Sequence, residues 1–243
     1  PLVDLFNFSI TIFKNAQGRK LSSLECHDLM CKIGEVVVVG GVRRSAMISL
    51  SNLSDDRMRH AKSGAWWDND PQRALANNSV SYTEKPDAIS FMREWMALVE
   101  SGSGERGIFN REASKKQAAK YGRRDPDYEF GVNPCSEIIL RPYQFCNLTE
   151  VVVRATDTIE SLSRKVRLAA ILGTIQSNYT KFPYLRKVWQ RNTEEERLLG
   201  LSLTGIMDNP LMTTANTELE DTLEILRKLA VDTNTMWADH LGI

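Results

Sequence analysis

With 243 residues, 42% of them hydrophobic, the chain is long enough to bury a substantial core as one large or two small domains. Its 31 Lys and Arg balance 31 Asp and Glu, so bulk charge selects no polyanionic partner and no nucleic-acid role is expected. No apolar run reaches the roughly 18 residues a membrane span needs, and four cysteines without paired spacing fit a reducing, cytoplasmic setting rather than a disulfide scaffold.

Pro1-Leu2-Val3-Asp4 shows no initiator Met and no signal pattern, and Ile243 follows a helix directly, so both ends are expected to be cut. Phe6, Phe8, Ile10 and Ile12 alternate with Asn7, Ser9 and Thr11, which predicts a half-buried strand. Ser22 and Glu25 predict a capping box opening a helix with Leu29, Ile33, Val36 and Val37 on one face. Cys26, His27 and Cys31 fall on that helix. The two cysteines are five apart and no Cys-x-x-Cys occurs, so no metal site is expected and both read as core or surface thiols.

Gly40-Gly41-Val42-Arg43-Arg44-Ser45-Ala46 breaks this helix and leads into Met47-Ile48-Ser49-Leu50. Paired glycines let backbone approach a ligand, and paired arginines grip phosphate or a base edge. A capping glycine followed by solvated arginines is the commoner arrangement. Ser54 or Asp55 is expected to cap a short helix ending near Gly64, Trp66-Trp67-Asp68 to be irregular surface, and 77–82 to be a loop entering a strand. Asp87 caps a helix with Ile89, Met92, Met96 and Val99 as a core stripe. Gly102, Gly104 and Gly107 read as the connection from that helix to a strand at 107–110, and a basic, solvated helix follows over 111–120.

Further on, 148–153 reads as a strand. Asp157 and Glu160 open a long helix that packs through Leu162, Val166, Ala169, Ala170 and Gly173. Glu194-Glu195-Glu196-Arg197 reads as a solvated turn, 198–203 as a buried strand, and Thr217 with Glu220 as the cap of a last helix with Leu219, Leu223, Leu226 and Ala230 inward. Strands alternating with helices predict an α/β fold with a largely parallel sheet.

The chemistry concentrates in Asn133-Pro134-Cys135-Ser136-Glu137. Gly131 and Pro134 make 131–136 a tight loop, and Ile138-Ile139-Leu140 a short buried strand. Cys135 then lies near a loop tip with a carboxylate two residues on, and Cys146 returns eleven residues later, after a turn at Pro142. A thiol, a carboxylate and an amide together suit nucleophilic, redox or radical work. Composition alone favours two ordinary buried thiols.

Asn-Pro-Cys-x-Glu followed by Phe145-Cys146-Asn147-Leu148 resembles the finger loop of ribonucleotide reductases. The eleven-residue cysteine spacing resembles that of the monomeric adenosylcobalamin-dependent (class II) triphosphate reductases, and the Gly40–Ala46 segment is similar to their specificity loop. The chain, residues 1–243, looks like the central portion of such an enzyme's catalytic barrel. The resemblance implies a ten-stranded α/β barrel with the finger loop threaded through its centre. It implies Cys135 as the thiyl radical, Glu137 as the base at the substrate 3′-hydroxyl, Asn133 as the amide orienting substrate and Glu137, and Cys146 as half of the reducing dithiol. Gly40, Gly41, Arg43 and Arg44 would lie between a deoxynucleotide effector and the base of the ribonucleotide substrate.

Adenosylcobalamin is the implied radical source, and a thioredoxin-like protein the implied reductant, acting through C-terminal cysteines outside this chain. In the family, the partner of the Cys146-type thiol comes from a strand upstream of the specificity loop. Neither Cys26 nor Cys31 sits in such a strand, so the chain alone is expected to be inactive. Two alternatives stay open. One is the large subunit of an iron-dependent reductase, which draws its radical from another subunit. The other is a noncatalytic nucleotide-binding module in which Cys135 and Cys146 form a labile disulfide.

Overall fold

The computed structural model describes residues 1–37 and 46–243. They form two compact units, Pro1–Pro142 and Tyr143–Ile243. Both units are mixed α/β with parallel strand pairing, as the alternation of elements predicts.

The first unit opens with helix α1 (Leu2–Asn15), where alternation predicts a strand. The helical period wins because it runs longer: Leu2, Phe6, Ile10 and Phe13 recur every three or four residues on one stripe. Asp4 in the first turn and Lys14 in the last also suit the helix dipole. That stripe is exposed, and α1 has no buried residue. Helix α2 (Ser23–Glu35) begins with the predicted capping box, Ser22 with Glu25. It does not bury the predicted apolar face. His27, Asp28 and Cys31 are inside, while Ile33 and Val37 are about half exposed, at 50% and 46%.

The polar face goes inward because partners wait there. Arg73 donates to both oxygens of Asp28 at 2.7 Å, and His27 Nε2 lies 2.9 Å from Asn78 Oδ1. Burial by itself would raise the Asp28 carboxyl, but the Arg73 guanidinium outweighs it and holds the group below its ordinary value. Burial, reinforced by Asp28, pushes the Cys31 thiol up to about 12, so it stays protonated.

Strands β1 (Met47–Ser51), β2 (Ala76–Tyr82) and β3 (Gly107–Asn110) form a parallel sheet with β2 in the middle. The register sets Met47 beside Ala76 and Ser79 beside Gly107. Between β1 and β2 come α3 (Asp56–Arg59), capped by Asp55, and α4 (Trp66–Asn69), where irregular structure is expected. A 3₁₀ turn, Pro71–Leu75, then delivers Arg73 to Asp28. All of 77–82 is strand rather than partly loop.

Helix α5 (Ala88–Ser101) has the predicted Asp87 cap but is turned about its axis. Glu94 and Ala97 are buried, and the Ile89, Met92, Met96 and Val99 stripe is exposed. Charge decides the orientation: Glu94 accepts from Arg59 at 3.0 Å and from Arg106 at 2.7 Å. A buried carboxylate needs such partners more than a methionine needs burial. Gly102, at φ 62°, ends the helix, and α6 (Arg111–Ala119) follows β3 under an Asn110 cap. Strands β4 (Gly131–Val132) and β5 (Ile139–Leu140) close the unit as an antiparallel hairpin.

The second unit comprises β6 (Asn147–Val152), α7 (Ile159–Gln176), α8 (Lys187–Glu196), β7 (Leu199–Thr204), α9 (Pro210–Thr213) and α10 (Thr217–Leu241). Strands β6 and β7 pair in parallel, Asn147 beside Leu199. Val151 of β6 and Val153 just after it pack with Leu162, Val166 and Ala169 of α7, with Met212, and with Leu226 of α10. All five predicted packing residues of α7 are buried. The caps shift by one residue: Thr158 with Ser161 caps α7, and Asn216 caps α10. On α10, Leu226 is buried and Leu219 and Ala230 are partly buried, but Leu223 is 43% exposed. Glu194 to Glu196 end a helix rather than form a turn. Polar α8 has no apolar period to announce it; bonds from the Phe145 amide to Thr193 and from the Thr180 hydroxyl to Glu194 hold it.

Two glycines set the closeness of this packing. A Cβ on Gly173 would lie 2.0 Å from Leu199 Cδ1. Gly205, at φ 72°, would bring a Cβ within 2.5 Å of the Val153 carbonyl oxygen. Among the described residues, no helix is long and apolar enough to cross a membrane.

Gly205→Ala is expected to destabilise the second unit by roughly 2 kcal/mol or more, because positive φ and a backbone clash act together. Thermal unfolding measures it, and an unchanged midpoint would contradict the close approach. Asp157 accepts from Lys165 at 2.6 Å, from Ser161 at 2.7 Å and from the Arg154 amide at 2.8 Å. Led by the Lys165 bond, these take its carboxyl from 3.8 to about 2. A lowered folded-state value means stability that is present above pH about 4 and lost as pH falls toward 2. Asp157→Asn should therefore flatten the fall in melting temperature between pH 4 and pH 2; an unchanged slope would show that Asp157 does not carry it.

Candidate functional site

The loop between β4 and β5 gathers Asn133, Cys135 and Glu137 within one hairpin turn. Its shape follows from Asn133. The Asn133 side-chain oxygen accepts from the Ile138 amide at 3.0 Å, and its backbone carbonyl accepts from the Ser136 amide at 2.9 Å. These two bonds close the turn from both sides, an arrangement asparagine favours. Ser136 takes the left-handed conformation, φ 67°, which reverses the chain immediately after Cys135. With Oδ1 committed to the loop, the amide N–H groups of Asn133 are what it has to offer a ligand.

A long-range bond holds the same loop. Asn77 Nδ2, on β2, donates to the carbonyl of Pro134 at 2.7 Å across 57 residues of sequence. Gly131 sits on Leu50 of β1, a Cβ there falling 3.8 Å from Leu50 Cδ1. Leu50 is beside Ser79, and Asn77 is two residues before it, so both contacts come from one face of the sheet. The hairpin therefore lies against that face with Cys135, Ser136 and Glu137 exposed at its tip. The thiol and the carboxylate stand on the turn together, as the motif spacing predicts, and within this unit they face outward.

Cys146 belongs to the second unit and immediately precedes β6. It is half-buried and borders a cavity with Phe145, Asn147, Tyr179, Phe182 and Arg197. The Phe145 ring lies 4.8 Å, centroid to centroid, from both Phe182 and Trp189. Asn147 Nδ2 donates to the Leu198 carbonyl at 3.0 Å, while its buried Oδ1 has no partner among the described residues.

Gly40, Gly41, Arg43 and Arg44 lie outside the described residues. Cys26 is exposed and Cys31 buried, as ordinary surface and core thiols would be. Among the described residues, no group of three His, Cys, Asp or Glu is placed to hold a metal ion. Sequence reasoning names Asn77 only within a polar stretch; its partner is too distant in sequence for any spacing rule to reveal.

No protein-family model matches the chain. It is 33% identical over 218 residues to the adenosylcobalamin-dependent ribonucleoside-triphosphate reductase of Lacticaseibacillus paracasei. The enzymes of the same name from Levilactobacillus brevis and Lactobacillus leichmannii are each 30% identical, over 218 and 221 residues. Each match takes in 86% of this chain, and the chain spans 27–28% of the length of these relatives. Over most of its own length, then, this chain is similar to one stretch of the adenosylcobalamin-dependent ribonucleoside-triphosphate reductases.

Proposed function

We propose that this chain carries the central catalytic elements of a ribonucleotide reductase that uses adenosylcobalamin. The observation that carries the reading is the similarity, over most of this chain, to reductases of that name. The motif's thiol and carboxylate share one turn shaped by Asn133, exposed rather than converging on a pocket within this unit. The barrel reading is part of the proposal: the parallel strands of each unit would contribute to a ten-stranded α/β barrel around the hairpin.

A ribose 2′-hydroxyl is a poor leaving group until the neighbouring C3′ carries an unpaired electron. In the proposed reaction, the Cys135 sulfur radical takes the C3′ hydrogen atom and becomes a thiol. Glu137 accepts the 3′-hydroxyl proton. The 2′-oxygen leaves as water with a proton from a dithiol that includes Cys146. That dithiol also gives C2′ its hydrogen and supplies two electrons in all, becoming a disulfide that must be reduced again, while Glu137 returns its proton to the 3′-oxygen. C3′ then regains a hydrogen atom from Cys135. Asn133 orients substrate through its amide N–H groups.

Adenosylcobalamin, when bound, supplies the carbon-centred radical that such chemistry needs. The residue here whose chemistry fits it is Cys135, a thiol exposed on the turn beside Glu137; Cys26 is exposed as well but has no such motif around it. Gly40, Gly41, Arg43 and Arg44 are assigned to effector and substrate base on the strength of their motif alone. The substrate is a ribonucleotide, the effector a deoxynucleotide, and the reductant a thioredoxin-like protein.

The test uses an enzyme of the relatives' length that contains this segment, with substrate isotopically labelled at C3′. Cys135→Ser is expected to abolish both isotope loss from C3′ and deoxynucleotide formation, because an O–H bond is much stronger than S–H. Cys146→Ser should keep C3′ hydrogen abstraction and lose clean reduction. Glu137→Gln should slow the substrate step by roughly 10²-fold or more, within the range for a lost general base. Normal turnover in both cysteine variants would overturn the reading; C3′ cleavage kept by Cys135→Ser and lost by Cys146→Ser would exchange the two roles.

A further inference from the structure

The proposed chemistry demands that one sulfur be placed to a fraction of an ångström against one C–H bond, yet Cys135 sits at the exposed tip of a hairpin with only two residues in each strand. So short a hairpin is marginal alone. The turn is closed by Asn133 and the base of the hairpin is held by Arg124 on the Ile139 carbonyl at 3.0 Å, but neither bond fixes the tip against the sheet. What ties the tip itself to the rigid part of the unit is the bond from Asn77 Nδ2 to the Pro134 carbonyl, at 2.7 Å. That carbonyl belongs to the peptide bond joining Pro134 to Cys135, so its orientation sets the direction in which Cys135 leaves the backbone.

Asn77 is well suited to be an anchor. It lies on β2, the central strand, paired on one side with β1 and on the other with β3. Its neighbour Asn78 is 3% exposed and doubly held: its amide donates to Glu105 at 3.2 Å, and its side chain meets His27 at 2.9 Å. Glu105 in turn takes Lys62 at 2.9 Å. The backbone carrying Asn77 is therefore fixed by strand pairing and by a buried polar network, while its side chain reaches the opposite way, to the loop.

We infer that Asn77 is a positioning residue for the radical cysteine, holding the Pro134–Cys135 peptide through its amide donor so that the Cys135 sulfur is presented in one direction. The inference rests on the reading of Cys135 given above, but its structural half stands without it. It requires a donor at position 77 and not merely a side chain of that size. Asn77→Asp keeps the shape and replaces the donor by a carboxylate that repels the carbonyl; once protonated, that carboxyl donates again.

The experiment has two arms. In this chain, hydrogen exchange at the Ser136 and Ile138 amides reports the hairpin, and the alkylation rate of Cys135 by iodoacetamide reports its tip. In Asn77→Ala, and in Asn77→Asp near neutral pH, protection is expected to fall about five- to tenfold, the size of one lost hydrogen bond. Protection in Asn77→Asp should recover on acidification as the introduced carboxyl protonates, while that of Asn77→Ala should not. Unchanged protection in both variants, or a loss in Asn77→Ala that Asn77→Asp restores at every pH, would overturn the donor role.

In an enzyme of the relatives' length, Asn77→Asp is expected to lower kcat by roughly 10²-fold with KM within about twofold, since small misplacements of a reacting group cost that much. A change in KM with unchanged kcat would overturn the positioning role. If the hairpin loosens as expected but Cys135→Ser leaves turnover normal, the anchor stands and the radical reading fails.

Discussion

The structure of the first unit depends on one constraint: β2 is buried and yet polar. Asn78, Ser79 and Ser81 are each less than a tenth exposed, in the middle strand of a sheet. A strand of valines would have needed only a greasy neighbour. A strand of amides and hydroxyls needs hydrogen-bond partners in fixed places, because a buried polar group without one costs more than most single contacts return. The unit supplies them for Asn78, while the buried Ser81 and Tyr82 hydroxyls have none among the described residues. Helix α2 turns His27 toward Asn78, the segment after α5 brings Glu105 to the Asn78 amide, and Lys62 closes that group.

The second unit solves its packing by the opposite means. Its core is aliphatic, Val151, Val153, Leu162, Val166 and Leu226, and its precision comes from omission. Gly173 lets α7 settle on Leu199, and Gly205 lets the chain pass under the Val153 carbonyl. One unit is thus specified by directed polar bonds and the other by close approach of backbone. The two proposed thiols are distributed accordingly: Cys135 on a hairpin tied to the polar strand, Cys146 at the mouth of an aromatic cavity.

How far the sequence was legible follows from the same division. The α7 packing face was readable because aliphatic periodicity is a faithful guide where the core is aliphatic. The loop tip and the strand after it were readable because Gly131 and Pro134 act locally, but β4 at Gly131–Val132 falls inside the expected loop, and the part Asn133 plays in closing the turn carries no signal of its own in the sequence. Helices α2 and α5 were placed but faced the wrong way, because periodicity counts apolar residues and is blind to Asp28 finding Arg73 or Glu94 finding Arg106. Helix α1 was misassigned because seven alternating residues also fit the longer helical stripe. The site motif was visible as spacing; the support beneath it, Asn77 on Pro134, was not, since it joins residues 57 apart.

The buried network has a consequence for Cys31. Its thiol is fully enclosed, and burial together with Asp28 holds it at about 12, so a soft electrophile meets neither surface nor thiolate there. Cys26 and Cys135, both exposed, answer such a reagent at once. Cys31 answers only when α2 lifts from Arg73 and Asn78. Its labelling rate is therefore a clock set inside the first unit, timing how often that polar core opens.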